Sequence, residues 1–135
     1  QHEPLVSDIA SRQQPLVICN ASYLYLDMPQ QLDPDEPGLP WAAYVDTGSI
    51  FNFDPLACWA IDNAELVAGL QAQLWTETVV DSHQMDYYLF PRILAVAERA
   101  WNQHSTDNWS GFAAAVISRE MQYLDTLGVQ YRKSL

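Results

Sequence analysis

Apolar and polar positions follow different rhythms in different parts of the chain. Over residues 5–12, Leu5, Ile9 and Ala10 fall on one side of a helix that Gln13-Gln14-Pro15 ends. Leu16-Val17-Ile18-Cys19 is a continuous apolar run rich in β-branched residues. That pattern predicts a strand over about 16–20 that is covered on both faces, as in a parallel sheet. Helix, short loop and fully covered strand form the rhythm of an α/β fold. Leu70-Gln71-Ala72-Gln73-Leu74-Trp75 alternates apolar and polar residues and predicts a second strand over about 70–75, after a helical turn at 62–66 and Gly69. The rest reads as helical. One stretch is expected over about 84–102. Within it, Pro91 suits a first turn, and Ile93, Leu94, Ala97, Ala100 and Trp101 form an apolar stripe. A last helix over about 111–127 carries Phe112, Val116, Ile117, Met121 and Leu124, with Gly128 as its C′ residue.

Between the strands, an irregular stretch over about 28–55 holds five of the eight prolines and two of the five glycines. Compact domains rarely carry such a loop without a use for it. The order is therefore helix, strand, long loop, strand, helix, helix. Two parallel strands do not make an independently stable sheet. The 135 residues are expected to be a piece of something larger.

Charge narrows the partners. Lys and Arg total 6 against 17 Asp and Glu, a formal net charge of −11. No Lys or Arg falls between Arg12 and Arg92, while eleven carboxylates run from Asp27 to Asp86. A phosphate-neutralising surface needs clustered Lys and Arg, so a nucleic-acid partner is excluded. A hydrophobic content of 49% separates the chain from a disordered acidic tail. No apolar run approaches the ~20 residues of a membrane span. Gln1-His2-Glu3-Pro4 offers no basic n-region, so no signal peptide is visible. Cys19 and Cys58 fit no zinc or redox spacing and are expected as buried free thiols. His2, His83 and His104 are far apart and read as surface residues. No nucleotide-binding glycine loop or Gly-x-Ser-x-Gly is present, and no cofactor or metal is expected.

Candidate chemistry clusters at the strand ends. Tyr25 and Asp27 follow the first strand; Trp75 and Glu77 end the second. In an α/β barrel the active site is built from the C-terminal strand ends and the loops after them. An indole or phenol beside carboxylates suits a sugar, whose C–H face stacks and whose hydroxyls donate. The same residues also fit a structural reading, with Trp75 capping a core and Glu77 serving a helix N-terminus. Trp41, between Pro40 and Ala42, is either a binding platform or a plug that pins the loop. Asp35-Glu36 is an adjacent carboxylate pair, the residue type of glycoside hydrolysis. It lies between Pro34 and Pro37 with no apolar cover to raise a pKa, and reads as solvated turn residues. Its spacing lacks a calcium-loop pattern.

One series of motifs, in this order, is similar to a known family: Tyr23-Leu24-Tyr25-Leu26-Asp27; Asp33-Pro34-Asp35-Glu36-Pro37-Gly38 with Trp41 beyond; Gly69-Leu70-Gln71-Ala72-Gln73-Leu74-Trp75-Thr76-Glu77; Phe90-Pro91-Arg92; and Ala95-Val96-Ala97-Glu98-Arg99-Ala100-Trp101. It resembles the C-terminal part of glycoside hydrolase family 20, the β-N-acetylhexosaminidases, and the Trp41 loop is most like the bacterial chitobiase branch. The match spans about residues 10–132. The resemblance implies an α/β fold, the C-terminal portion of a (β/α)₈ TIM barrel, incomplete on its own, with the last two strands and the closing helices. It implies substrate-assisted retaining hydrolysis of terminal N-acetylglucosamine or N-acetylgalactosamine, the 2-acetamido oxygen acting as nucleophile. By the same resemblance, Tyr25 hydrogen-bonds the acetamido oxygen, Trp75 walls the acetamido pocket, and Glu77, assisted by Asp27, accepts from the 4- and 6-hydroxyls. Trp41 underlies the next sugar, while Arg92 and Glu98 belong to structural ion pairs.

The family's catalytic Asp-Glu follows a His-x-Gly-Gly stretch that this sequence lacks. The resemblance thus implies that the 135 residues alone are inactive and that their partners are the remainder of the same catalytic domain and an oligosaccharide such as chitobiose. An isolated piece would expose apolar faces and self-associate. A periplasmic or secreted home is suggested by the resemblance only. The competing expectation is a non-catalytic carbohydrate-binding or interaction module derived from the barrel end.

Overall fold

The computed structural model describes residues 3–102 and 108–135; His2 and His104 lie outside them. Helix α1 (Glu3–Ser11) leads to strand β1 (Leu16–Ile18). β1 pairs in parallel with β2 (Val67–Leu70), Val17 opposite Gly69 and Ile18 opposite Leu70. A parallel pair requires a crossover. Here it is the segment holding α2 (Ala21–Leu24), the long loop, α3 (Thr47–Phe51), α4 (Pro55–Cys58) and a 3₁₀ turn (Ala64–Leu66).

Both strands differ from the expectation. The first stops at Ile18 because Asn20 caps α2, its Oδ1 accepting from Ser22 N at 2.9 Å. Ile18 is buried, but Val17 is 57% exposed, so β1 is covered on one face only. The second strand lies at Val67–Leu70 rather than 70–75. The alternating residues beyond it do stay extended, but α2 lifts the partner chain away and breaks the ladder. Pairing resumes as a single parallel bridge between Tyr25 and Gln73. Gln73 N donates to Leu24 O at 2.8 Å, and Leu26 N to Gln73 O at 2.7 Å.

The long loop ends earlier than 55. Asp46 caps α3, accepting from Ser49 N at 2.6 Å, and the helix drives Ile50 and Phe51 into the core. That core also takes Ile18, Leu24, Leu26, Met28, Val45, Phe53, Ala95 and Val96.

The helical stretch expected over 84–102 is two helices, α5 (Ser82–Leu89) and α6 (Arg92–Trp101), divided at a cis Phe90–Pro91 bond. Proline interrupts the helix because it has no N–H to donate. The inward face of α6 is not the apolar stripe: Ala97 and Ala100 are exposed and Trp101 is 90% exposed. The buried residues are Arg92, Ala95, Val96 and Arg99, also at i, i+3, i+4, i+7. The last helical segment runs from α7 (Trp109–Ala115) through a π-helical turn (Val116–Glu120) into α8 (Met121–Leu127). The wider π turn changes the facing, and Ile117 is exposed while Val116, Met121 and Leu124 stay buried. Gly128 closes α8 at φ +72°, the left-handed cap. The tail after it folds back, burying Tyr131 against Met121 and Leu124.

Cys19 and Cys58 are free thiols, half-buried rather than fully buried. Asn20 Nδ2 donates to Cys58 Sγ at 2.9 Å. No described helix is long and apolar enough to cross a membrane.

Candidate functional site

Side chains alternate sides in extended backbone. Leu24 and Leu26 enter the core, and Tyr25 between them faces a cleft of about 440 Å³. The Tyr25–Gln73 bridge aligns the second segment, so Trp75 and Glu77 arrive at the same cleft. Trp75 N donates to Asp27 Oδ1 at 3.4 Å, tying the two segment ends together. The long loop brings Leu39 and Trp41 to the opposite wall. All five residues singled out in the sequence, Tyr25, Asp27, Trp41, Trp75 and Glu77, therefore line one cleft with Leu39 and Thr78.

Three rings shape it. Tyr25 meets Trp41 edge-on at 5.8 Å between centroids and Trp75 at 6.0 Å. Trp41 is 66% exposed and Trp75 47%, so neither indole is a buried plug. Asp27 is buried. Glu77 is exposed. Among the described residues, no group occupies the Tyr25 hydroxyl or the Glu77 carboxylate, which leaves both for a ligand. Apolar faces with a few convergent polar groups are the general make-up of a small-molecule site.

Arg92 builds the floor. It is fully buried, and all its hydrogen bonds go to backbone carbonyls. Nη1 donates to Met28 O at 2.8 Å and Val45 O at 2.9 Å, Nε to Tyr88 O at 2.9 Å, and Nη2 to Leu26 O and Tyr88 O. Desolvation lowers its pKa to about 10, leaving the guanidinium charged at neutral pH. The expected ion pair at Arg92 is therefore replaced by a carbonyl clamp. Glu98 makes no ion pair among the described residues either; it accepts from Asn102 Nδ2 at 3.1 Å. Arg99 also faces inward, donating from Nε to Phe53 O at 2.9 Å, while its buried Nη1 has no partner among the described residues.

Gly38 is required where the loop crosses the floor. Its φ is +118°, and a Cβ there would lie 2.6 Å from Asp27 O and 2.7 Å from Pro29 N.

Glu36 corrects the expectation of a solvated turn pair. Asp35 is exposed, but the Glu36 side chain is only 3% exposed. Its Oε1 accepts from Arg132 Nη1 at 3.1 Å, and its Oε2 from the Tyr87 hydroxyl at 3.1 Å. The cover comes from α5 and the C-terminal tail, too distant in sequence for local polarity to reveal. Burial, then the Glu36 charge, raises the Tyr87 pKa. The sequence reasoning also missed Arg92 and Arg132 as builders of the site. One signal was present: Arg92 and Arg99 share a helix face with the buried Ala95 and Val96. His83 is exposed, and no group of His, Cys, Asp and Glu among the described residues could hold a metal ion.

The profile of the glycosyl hydrolase family 20 catalytic domain matches residues 1–104. The chain belongs to glycosyl hydrolase family 20. It is 31% identical to an N,N'-diacetylchitobiase of Vibrio harveyi, over 87% of this chain and 18% of that protein. It is likewise 31% identical to a β-N-acetylhexosaminidase of Cellulomonas fimi, over 84% of this chain and 22% of that one. Among solved structures, the family 20 β-N-acetylhexosaminidase of Streptomyces coelicolor A3(2) superposes with a TM-score of 0.88 at 33% identity, covering 98% of this chain and 26% of that chain. The family 20 exo-β-N-acetylglucosaminidase of Vibrio harveyi, solved with N-acetylglucosamine, superposes at 0.82 and 33%, covering 97% and 21%. The family 20 fold is the TIM barrel, so the α/β class expected from the sequence is the right one. The chain spans about a fifth of the length of these two curated relatives.

Proposed function

We propose that this chain is the C-terminal portion of a family 20 catalytic barrel, with β1 and β2 as its last two strands. The whole domain removes terminal non-reducing N-acetylglucosamine or N-acetylgalactosamine with retention. The observation that carries the reading is the convergence of Tyr25, Asp27, Trp41, Trp75 and Glu77 on one cleft at the ends of two parallel segments. Tyr25 donates to the substrate's acetamido oxygen, orienting it for attack on the anomeric carbon and stabilising charge as the ring closes. Trp75 packs against the acetamido methyl. Glu77 accepts from the 4- and 6-hydroxyls, and Asp27 assists while anchoring the Trp75 backbone. Trp41 stacks under the next sugar.

The general acid comes from outside these residues. Asp35 and Glu36 are not part of the cleft lining, and Glu36 is engaged by Arg132 and Tyr87. The exposed Val17 and a second cavity of about 420 Å³ between Val67, Gly69, Leu70 and Arg99 suit packing against further barrel strands. The same open faces make the isolated chain prone to self-association. The test is an assay of chitobiose and an aryl N-acetylglucosaminide with the complete enzyme and with the 135 residues alone. Turnover by the complete enzyme only is expected. Turnover by the 135 residues that survives D35N and E36Q would overturn the assignment of the acid.

A further inference from the structure

The loop that presents Trp41 has two kinds of anchor. Its base is closed by Val45 N donating to Pro29 O at 2.8 Å, and Arg92 holds Met28 O and Val45 O on either side. The span 30–44 between these points has little structure of its own; Asp33 and Asp35 form exposed local turns, and Glu36 follows them with its side chain turned inward. Among the described residues, the side-chain hydrogen bonds that tie this span to other elements come from Gln30, whose Nε2 donates to Tyr87 O at 3.2 Å, and from Gln31 and Glu36. The last two end on Arg132. Its Nη1 grips the Glu36 carboxylate at 3.1 Å, and its Nη2 donates to Gln31 Oε1 at 2.6 Å. Arg132 is itself fixed, its backbone N donating to Phe90 O at 3.2 Å. The Tyr87 hydroxyl shares the Glu36 carboxylate from α5.

We propose that Arg132 is a positioning residue for the cleft: from the C-terminal tail it fixes Glu36, and through the short proline-rich segment 37–40 that follows it sets where Trp41 stands. Arg132 is not part of the cleft lining. The geometry suits the task. A planar, forked guanidinium fixes two loop side chains at once in set directions, which the rotatable ammonium of a lysine does not. The Glu36 side chain is 3% exposed and that of Arg132 14%, so the pair is shielded from the screening that weakens surface ion pairs. Gly38 packs closely on Asp27 O and Pro29 N, which leaves the chain between Glu36 and Trp41 little room to absorb a shift. The inference rests on the role proposed above for Trp41 as the platform under the second sugar.

The test is a mutant cycle in the complete enzyme. Two substrates are compared: the β-1,4-linked N-acetylglucosamine disaccharide and the methyl glycoside, whose leaving group is too small to reach Trp41. R132M is expected to raise KM for the disaccharide at least fivefold and to change kcat/KM for the methyl glycoside less than twofold. W41A is likewise expected to raise KM for the disaccharide, and the double variant to be no worse on that substrate than W41A alone. R132K, which keeps the charge but loses the fork, should be intermediate, and it carries the test if R132M does not fold. Equal losses on both substrates, or full additivity of R132M and W41A, overturn the proposal and leave Arg132 merely structural. If W41A weakens the disaccharide and neither Arg132 variant does, the role of Arg132 falls while the reading of the cleft stands. If W41A has no effect, both fall.

Discussion

The guanidinium of Arg92 holds the carbonyls on both sides of Asp27, those of Leu26 and Met28, and makes no hydrogen bond to the Asp27 carboxylate between them. A charge taken fully out of water is here used to fix backbone, while the Asp27 carboxylate at the cleft accepts from Trp75 N. R92M would leave the buried carbonyls of Leu26, Met28 and Val45 without their donor. Each such loss costs about 1–3 kcal/mol. A large fall in the denaturant midpoint of the complete enzyme is expected. R92K should also fall, because three ammonium donors cannot reproduce the planar fork. Unchanged melting of both variants would contradict the clamp.

Tyr25 is a test of catalysis as distinct from binding. Its hydroxyl has no partner among the described residues, so Y25F leaves no protein group unsatisfied. If Tyr25 stabilises the attacking acetamido oxygen, the loss appears mainly in kcat, since that contact strengthens in the transition state. Steady-state kinetics on an aryl N-acetylglucosaminide decides it; a pure KM effect counts against the role.

Glu77 is exposed and unpaired among the described residues, so its carboxylate is open to a ligand in the cleft. E77Q should weaken binding of the terminal sugar by about 1.5–3 kcal/mol, the contribution of a charged hydrogen bond. Inhibition by free N-acetylglucosamine measures this without a chemical step. Equal affinity would make Glu77 only a strand-end carboxylate.

Tyr87 sets a pH dependence on the Glu36 anchor. Desolvation, then Glu36, raises its pKa above the ordinary value of 10.0. The folded state therefore holds the phenol proton more tightly than the unfolded chain does. The resulting stability is fully present below about pH 10 and is lost as pH rises through the folded pKa. The stability difference between the wild type and Y87F should stay constant through neutral pH and shrink above pH 10. A difference that grows with alkalinity would show the sign to be wrong.

The cleft was legible in the sequence because its residues are polar or aromatic exactly where extended segments end, and because the motifs recur in order. Tyr25, Asp27, Trp75 and Glu77 could be named from two short stretches, and Gly128 from the end of a helix. The builders behind the cleft were not legible in the same way. Arg92 bonds carbonyls 64 and 66 positions away, at Met28 and Leu26, and Arg132 reaches Glu36 across 96 positions. A hydrophobic pattern assigns such charges to solvent, so the sequence puts the stripe on α6 on a different side of the helix from the face that is buried.

By itself, then, the sequence determined the family, the existence of the main helices and which residues gather at the cleft, since periodicity, caps and ordered motifs are properties of neighbouring residues. Only the tertiary structure decided which charges are buried, where the second strand pairs, and what holds the Trp41 loop. Those outcomes depend on partners from distant segments. A buried arginine or glutamate is tolerated only where carbonyls, a phenol or an opposite charge meet it in three dimensions.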